Sequence, residues 1–340
     1  MAQSKRGFKG GIPYLVIVGI LHVLGIGLLL LGGATPFLIG MAVIAYMLGL
    51  RHAFDVDHIA AIDNTVRKLL QQGSRPSGVG FYFSIGHSTV VFIMAVLTSI
   101  SVRWAQQETP RFQEIGGLIG TIVSGCFLIL IAFLNLIILK DMGKAFLNMN
   151  RGSYDHEKVE RLLLSRGLMG RFFSPLFKLV NRSWHVYPIG FLFGLGFDTA
   201  SEVALLSIAV AASQQAVPVL GMMALPILFA AGMSLMDTLD ALFMERAYQW
   251  AFTTPLRKVY YNLTLTSISV LAALVIGVIE VGQVISQKLH LTSGIGGWFN
   301  RLSFGYLGFW LVGFFLISWL VSIVIWRNLK VEKAWQETEL

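Results

Sequence analysis

Cysteine and charged residues are both scarce in this sequence. The single cysteine, Cys126, leaves no partner for an internal disulfide and too few thiolates for a cysteine-based zinc or iron–sulfur site. Charged residues make up 13% of the 340 residues, about half the share in soluble globular domains, whereas hydrophobic residues make up 55%. The composition therefore excludes an ordinary soluble domain and predicts a protein with many membrane-spanning helices. The apolar neighbours of Cys126 predict a buried packing role for it.

Eight apolar segments are each long enough to cross a bilayer as a helix, which takes about 20 residues. The expected fold is all-α and polytopic, with residues 1–340 forming a single transmembrane domain. Helices 1–4 fall in residues 1–139, a basic cytoplasmic loop in 140–186, and helices 5–8 in 187–340. The loop contains a segment, 154–180, that is typical of a helix lying on the inner leaflet. The predicted spans are 13–34, 36–60, 80–102, 115–139, 187–211, 218–242, 260–286 and 303–326.

The positive charge follows the predicted topology. Of the 26 lysines and arginines, 21 fall in segments that face inward if the amino terminus is cytoplasmic, 4 fall in outward loops, and Arg51 lies within a span. Because basic residues accumulate on the cytoplasmic side of membrane proteins, both termini are predicted to be cytoplasmic. The net charge of +8 is thereby explained by contact with the lipid bilayer, and no nucleic-acid partner is expected. The apolar run from Ile12 to Leu31 exceeds a signal-peptide core and is interpreted as the first span.

The end of the second span carries several ionisable side chains at membrane depth. A charge there costs at least about 2.5 kcal/mol by insertion scales, so these groups are expected to meet each other, water or an ion. On a regular helix His52, Asp55 and His58 share one arc of about 120°, whereas Asp57 points elsewhere unless the helix loosens. Imidazole and carboxylate are ligands of divalent first-row metals. The segment predicts a metal site that includes His52, Asp57 and His58.

A purely structural role is the alternative for this segment. Arg51 and Asp55 are spaced i, i+4 and could form an ion pair, with the histidines hydrogen-bonded to their neighbours. For Arg51 we favour this structural ion pair. Asp55 is also a candidate for the path of a metal ion or of coupled protons.

Two further histidines lie in predicted spans. His87 follows Gly86 in the third span, and the adjacent His/Asp cluster favours metal contact over a role as a hydrogen-bonded core residue. For His22 in the first span, a place on the metal path and a structural role are left open.

The second half of the chain contributes carboxylates. Asp198 and Glu202 are spaced i, i+4 in the fifth span, and Asp237 and Asp240 share one face of the sixth. Neither span contains a basic residue, so pairing within a helix cannot neutralise these acids. Carboxylates in transporter helices also carry protons. We predict a metal path or proton coupling for all four, with structural hydrogen bonding as the alternative.

The two halves also resemble each other weakly. Gly49 to Asp55 in the second span is similar to Gly194 to Asp198 in the fifth, and Phe83 to Ser88 in the third is similar to Phe229 to Ser234 in the sixth. The paired spans run in opposite directions. This pattern predicts an inverted repeat of helices 2–4 and 5–7, a design of secondary transporters whose site lies near the midplane. Chance similarity between glycine- and phenylalanine-rich spans is the alternative.

Four segments of the chain resemble motifs of the nickel/cobalt transporter (NiCoT) family. The family's second-span signature, His-x4-Asp-His within Arg-His-Ala-x-Asp-Ala-Asp-His-Ile, is present as His52-x4-Asp57-His58, with Val56 in place of the usual Ala. In the fifth-span motif, Ser201 stands where Thr is common. The other segments that carry the resemblance are residues 83–91, 195–202 and 232–240.

The resemblance implies a secondary permease that takes up Ni²⁺ or Co²⁺ across the bacterial cytoplasmic (inner) membrane. The metal would be the transported substrate, with no permanently bound cofactor, no ATPase subunit and no enzymatic activity. An exporter, or a carrier of another divalent metal, is the alternative. A membrane metalloenzyme is disfavoured because the chain has no His-Glu-x-x-His motif.

Overall fold

The computed structural model describes residues 4–100, 102–149, 180–195, 200–215, 217–251, 255–302, 310, 312–314 and 316–317. Within these residues the protein consists of helices and connecting turns, without strands. This confirms the predicted all-α class. The helices are α1 (Ser4–Leu31), α2 (Pro36–His52), α3 (Val56–Gln71), α4 (Val79–Ile100), α5 (Val102–Met149), α6 (Tyr187–Gly194), α7 (Ala200–Gln214), α8 (Val219–Ala251), α9 (Pro255–Lys288) and α10 (Gly294–Arg301), with a 3-10 turn at Ser183–Val186 before α6.

The described residues contain five helices that are long and apolar enough to cross a membrane, or six if a bent helix pair is counted as one span. The five lie in α1, α4, α5, α8 and α9, and the bent pair is α2 with α3. The chain is therefore a multi-pass membrane protein, but the predicted count of eight spans is not confirmed. Most of the eighth predicted span lies outside the described residues. Of the surface helix predicted at 154–180, only residue 180 is described.

The second predicted span is broken where its ionisable residues lie. Helix α2 ends at His52 and α3 begins at Val56, with a bend of 53° between their axes. Residues 53–55 form a turn in which the amide of Asp55 donates to the His52 carbonyl at 2.9 Å. Asp55 itself is extended, with φ −66° and ψ 140°. The loosening that would let several groups converge on one site is therefore present.

Helix α3 is polar yet enclosed by the rest of the protein. Most of its residues from Val56 to Leu69 are buried, including Asp63, Asn64 and Arg67. Polar backbone and side chains at membrane depth are tolerated where protein rather than lipid surrounds them. The second span thus continues past its predicted end at residue 60 as a buried polar helix.

Two other predicted boundaries are corrected. The fifth predicted span is not one continuous helix, because α6 ends at Gly194 and Leu195 forms a turn before the undescribed residues 196–199. The outward loop predicted after residue 102 is helical, since α5 runs without a break from Val102 to Met149. That helix also includes the first residues of the predicted cytoplasmic loop.

Helix α8 is at the centre of the described bundle, where it packs against α1, α2, α3 and α4. Some of these contacts are close enough to require glycine. A side chain at Gly49 would overlap the carbonyl oxygen of Phe229, and one at Gly80 would overlap that of Asp237. Small residues let membrane helices approach closely, where dispersion contacts hold them together. The backbones of α2 and α4 are therefore held tightly against α8, close to the break in the second span.

The periphery of the bundle exposes apolar side chains, as expected of a lipid-facing surface. On α1, Val23 is 72% exposed and Leu30 is 64% exposed. Cys126 is also exposed, on α5. The predicted buried packing role of this cysteine is wrong, because apolar neighbours in a membrane helix can face lipid as readily as protein.

Candidate metal centre

Three histidines from three helices meet at the break between α2 and α3. His52 is the last residue of α2, His58 lies in the first turn of α3, and His87 lies in α4. One ligand nitrogen from each lies within 4.8 Å of the others, and the ring centroids are 4.6 to 4.9 Å apart. All three side chains are buried. We call these residues the imidazole cluster.

The orientation of His52 is fixed by a carboxylate. Its Nδ1 donates to Oδ2 of Asp55 at 2.8 Å, so Nε2 carries the lone pair of the neutral ring. Nε2 lies 2.9 Å from Nε2 of His87, at the centre of the cluster. A carboxylate behind a metal-binding imidazole sets its tautomer and raises its basicity. Asp55 therefore contacts His52 and orients its ring, and its place on a metal or proton path stays a prediction.

His58 is buried without a hydrogen bond to either ring nitrogen. Oδ2 of Asp237 lies 3.4 Å from its Nδ1, and both side chains have no solvent exposure. Neither carboxylate oxygen of Asp237 makes a hydrogen bond of good geometry in the described structure, although the Ser84 side chain is close enough to interact with it. Buried polar groups are nearly always satisfied, and an unsatisfied one costs about 1–3 kcal/mol. The imidazole of His58 and the carboxylate of Asp237 thus lie side by side with electron pairs that a cation could accept.

His87 brings the second half of the chain to the cluster. Its Nε2 lies 2.9 Å from Oε1 of Glu202 on α7, as well as 2.9 Å from Nε2 of His52. One N–H cannot make two good hydrogen bonds at once. Two ligands at about 2.1 Å from a metal and 90° apart would be separated by about 3.0 Å, which matches both distances. Tetragonal sites of nitrogen and oxygen ligands suit Ni²⁺ and Cu²⁺.

Aromatic rings enclose the cluster. Phe83 of α4 packs edge-on against His58 with ring centroids 4.8 Å apart, and Phe229 of α8 packs against His52 at 5.7 Å. Both phenylalanines are fully buried. An apolar wall of this kind excludes water, so a metal ion entering the cluster must exchange hydration for protein ligands.

The other predicted site residues are dispersed around this core. Asp57 lies partly buried in the first turn of α3, beside His58 in the chain but outside the imidazole cluster. Asp240 lies one turn beyond Asp237 on α8, with a buried Oδ2 that has no hydrogen bond. Asp198 falls outside the described residues. These three stay predictions.

Arg51 and His22 have specific partners away from the cluster. The Arg51 guanidinium donates to the Ser201 hydroxyl at 2.7 Å, whereas Asp55 contacts His52, so the predicted Arg51–Asp55 ion pair is not the contact found. His22 donates from Nδ1 to the Val18 carbonyl at 2.8 Å and accepts from the Tyr46 hydroxyl at 3.2 Å. For His22, a structural role and a place on the metal path both stay predictions.

We expect His22→Ala to retain at least about half of the wild-type rate of metal uptake. Both ring nitrogens of His22 are occupied by Val18 and Tyr46, so neither is available to a metal. The measurement is initial uptake of radioactive nickel by cells, normalised to the amount of protein in the membrane. An uptake rate near that of uninduced cells would contradict this prediction and indicate that His22 lies on the metal path.

Sequence reasoning missed a polar group in the second half of α3. Asp63 accepts from the Tyr248 hydroxyl at 2.7 Å, and Arg67 lies next to it in the bundle with no solvent exposure. The signal was present, since Asp63 ends the same ionisable segment that contains His58. Arg67 lies beyond residue 60, the predicted end of the second span, so its position in the sequence places it among the basic residues predicted to face inward.

Fold and site together define a multi-pass α-helical membrane protein with a buried cluster of metal-ligating side chains. Residues 38–325 match the NicO family, described as high-affinity nickel-transport protein. The chain belongs to this family. It is therefore a transport protein and not an enzyme, as the motifs of the sequence predicted.

Characterised relatives extend over nearly the whole chain. It is 58% identical to the nickel transporter NixA of Staphylococcus aureus, covering 98% of this chain and 99% of the relative. It is 54% identical to the high-affinity nickel-transport protein NixA of Helicobacter pylori strain J99, over 93% and 96%. It is 40% identical to the cobalt transport protein NhlF of Rhodococcus rhodochrous, over 92% and 91%. No solved structure matches the chain.

Proposed function

We propose that this protein takes up Ni²⁺, Co²⁺ or both across the bacterial cytoplasmic membrane as a secondary carrier, through the imidazole cluster. The observation that carries the proposal is a buried group of three histidines with converging ring nitrogens, of which those of His58 have no hydrogen bond within the described residues. Family membership and relatives named for nickel and cobalt transport support it. No ATPase subunit is part of the proposal, and both termini are placed in the cytoplasm by the distribution of basic residues.

In the proposed binding step, a hydrated ion exchanges water for Nε2 of His52, Nε2 of His87 and one nitrogen of His58. Glu202 and Asp237 supply negative charge beside His87 and His58 respectively. Asp57, next to His58 in the chain, is the remaining predicted ligand. Neutral imidazoles and two carboxylates together balance a divalent ion in a site that excludes water.

Selection of Ni²⁺ or Co²⁺ must come from the geometry of these ligands. Raw affinity for nitrogen and oxygen ligands follows a fixed order in which Cu²⁺ binds most tightly. The cluster is held by tight helix contacts and by the contact between His52 and Asp55, so the spacing of its nitrogens is set before the ion arrives. A rigid spacing favours ions whose preferred geometry matches it.

The proposed transport step depends on an inverted repeat, which reciprocal helix contacts support. Tyr-x-x-Gly occurs at Tyr46–Gly49 in α2 and at Tyr187–Gly190 in α6, and Phe-x-x-Gly occurs at Phe83–Gly86 in α4 and at Phe229–Gly232 in α8. The two motifs pack against each other across the halves of the chain. A side chain at Gly49 would meet the Phe229 carbonyl, and one at Gly190 would meet the Phe83 carbonyl.

The other two glycines, Gly86 and Gly232, make the same kind of close contact with a backbone carbonyl. A side chain at Gly86 would meet the Tyr187 carbonyl, and one at Gly232 would meet the Tyr46 carbonyl. The pair α4–α6 and the pair α8–α2 thus use the same residues in the same roles. In inverted-repeat carriers, one unit rocks against the other around a site near the midplane. The imidazole cluster takes His52 from one pair and His87 from the other, so rocking of the pairs would open and close it.

Competition between metals tests the proposal. Cells that express the protein should accumulate radioactive nickel well above control cells, and excess unlabelled Ni²⁺ or Co²⁺ should suppress this uptake more than excess Mn²⁺ or Zn²⁺. Preloaded cells placed in metal-free medium should not lose nickel faster than controls. Faster loss would show export, and equal suppression by Mn²⁺ would show a carrier of another selectivity.

A further inference from the structure

The imidazole cluster lies between two separate apolar cores. One core joins α7 with the parts of α2, α4 and α8 that face the outer side of the membrane in the proposed topology, and it includes Ala45, Met94 and Leu225. We call it the outer core. The other, the inner core, joins α3, α5 and α9 with the cytoplasmic parts of α4 and α8, and it includes Ile62 and Met244. Apolar side chains of the described bundle therefore lie on both sides of the cluster.

Each core contacts the cluster through one phenylalanine ring. Phe229 belongs to the outer core and packs against His52, with ring centroids 5.7 Å apart. Phe83 belongs to the inner core and packs edge-on against His58, with ring centroids 4.8 Å apart. Both phenylalanines are fully buried. The two histidines that flank the break in the second span therefore each meet an aromatic ring from a different core.

Helices α4 and α8 run antiparallel beside the cluster. A side chain at Gly80 of α4 would overlap the Asp237 carbonyl of α8, and one turn later Ser84 bonds to Ser234 at 2.9 Å. Residue numbers thus rise along α4 as they fall along α8. The serine pair marks one level that the two helices share, and in the proposed topology α8 runs from the outer side toward the cytoplasm.

The two rings lie at opposite ends of the cluster along the membrane normal. At a rise of 1.5 Å per residue, Phe229 is about 7.5 Å from Ser234 toward the outer side, and Phe83 is about 1.5 Å from Ser84 toward the cytoplasm. Side chains on a helix also lean toward its amino terminus. Because α4 and α8 are antiparallel, the two rings lean away from each other, which adds to their separation.

The two rings belong to different moving units of the proposed carrier. A side chain at Gly190 would overlap the Phe83 carbonyl, and one at Gly49 would overlap the Phe229 carbonyl. Phe83 therefore moves with the pair α4–α6, whereas Phe229 moves with the pair α8–α2. Rocking of one pair against the other opens one side of a central site while it closes the other side. The ring on the opening side is drawn away from the opposite pair, and the ring on the closing side is pressed against it.

We propose that Phe229 and Phe83 are the two gates of the metal site. Phe229 separates the imidazole cluster from the outer side of the membrane, and Phe83 separates it from the cytoplasm. An apolar ring suits this role because it stops a hydrated ion without offering a ligand that would hold it. In the structure both rings are in place, so the site is closed on both sides. This inference rests on the proposed function, since gates are needed only if the cluster is the transport site.

Cysteine labelling from each side of the membrane tests the two gates. Cys126→Ala removes the native thiol, and Phe229→Cys or Phe83→Cys is introduced into that background. With nickel present both gates open during each transport cycle, so each new cysteine is exposed to the side that it closes. We expect a membrane-impermeant methanethiosulfonate to label Phe229→Cys at least about tenfold faster in right-side-out than in inside-out vesicles, and Phe83→Cys with the opposite preference.

Three further cysteines in the same background are the controls. Thr292→Cys, in the exposed turn between α9 and α10, should be labelled only from the outer side, and Arg75→Cys, in the exposed segment before α4, only from the cytoplasmic side. Ala273 belongs to the inner core, has no solvent exposure and lies on α9, which contributes no residue to the imidazole cluster. Ala273→Cys should therefore react from neither side.

The labelling overturns the proposal in two ways. If neither gate variant reacts faster than Ala273→Cys, the phenylalanines are buried packing residues and nothing more. Labelling of Phe229→Cys and Phe83→Cys from the same side would contradict their assignment to opposite sides. Size-exclusion chromatography in detergent establishes that each variant is folded.

Phe229→Leu and Phe83→Leu give a second measurement that does not require a cysteine at the gate. A smaller side chain leaves one gate incompletely closed, so metal leaks back whenever the opposite gate opens. The steady level of accumulated nickel should fall at least about fivefold, whereas the initial uptake rate per folded protein falls by less than about twofold. A merely structural defect would lower both to the same extent, and that result would overturn the proposal.

Failure of the gates is distinguishable from failure of the proposed function. Nickel uptake lost in His58→Ala, together with gate cysteines that do not react, would refute the gates alone. Nickel uptake retained in His58→Ala would refute the proposed function first.

Discussion

Replacing His58 with alanine is expected to lower nickel uptake at least 100-fold at low nickel concentration. His58 is buried, neither of its ring nitrogens has a hydrogen bond, and Asp237 lies 3.4 Å from Nδ1. Since neither ring nitrogen has a hydrogen bond within the described residues, removing the imidazole takes away a ligand without breaking a hydrogen bond. The measurement is the initial rate of radioactive nickel uptake, together with nickel binding by the purified protein.

The control for this prediction is His290→Asn. His290 lies in an exposed turn beyond α9 with a φ of 52°, and asparagine tolerates that backbone conformation well. Uptake should stay within about twofold of wild type. If His58→Ala is present in the membrane at normal levels and carries nickel at the normal rate, the imidazole cluster is not the transport site. A rise in the nickel concentration for half-maximal uptake, with the maximal rate retained, would mean that the remaining ligands still form a weaker site.

Replacing Gly49 with alanine is expected to destabilise the protein by about 2–3 kcal/mol, or on the order of 5 °C in apparent melting temperature. The added methyl group would overlap the carbonyl oxygen of Phe229, which is backbone and cannot rotate away. Helix α2 would have to move off α8, and His52 at its end would move with it. Thermal unfolding in detergent, followed by size-exclusion chromatography, measures the effect, and nickel uptake should fall as well.

Gly40→Ala on the same helix is the matched substitution. A side chain there meets nothing within 4 Å, and Gly40 is exposed. Alanine favours the helix over glycine by about 1 kcal/mol, so the melting temperature should not fall. Equal losses for the two variants would show that glycine matters here for the backbone rather than for the contact between α2 and α8.

The site residues illustrate how far local sequence patterns reach. Grouping His52, His58 and His87 required only that costly side chains at membrane depth find one another, and the structure places their rings together. The shared 120° arc of a regular helix is not the reason that His52 and His58 meet. The helix breaks at residues 53–55, so the two histidines lie on different helices. Helical spacing predicts faces only while the helix continues.

Which carboxylate serves which imidazole could not be predicted in the same way. Asp55 hydrogen-bonds to His52, four positions from its predicted partner Arg51, and Glu202 lies 115 positions from its partner His87. Such pairings depend on the rotation of each helix about its axis and on the distance between helices. Both are set by close contacts such as that of Gly49 with Phe229, which appear only in the folded bundle.

The sequence by itself determined that this is a polytopic membrane protein of the nickel-transport family with histidines grouped at one depth, because hydropathy, burial cost and motif spacing are properties of short segments. Only the tertiary structure decided that the second span bends by 53° and continues as a buried polar helix, and that Cys126 is exposed. It also decided that Arg67 lies inside the bundle beside Asp63. A buried charge and a lipid-facing apolar residue can occupy equally plausible positions in a helix, and only the neighbours that pack around them distinguish the two.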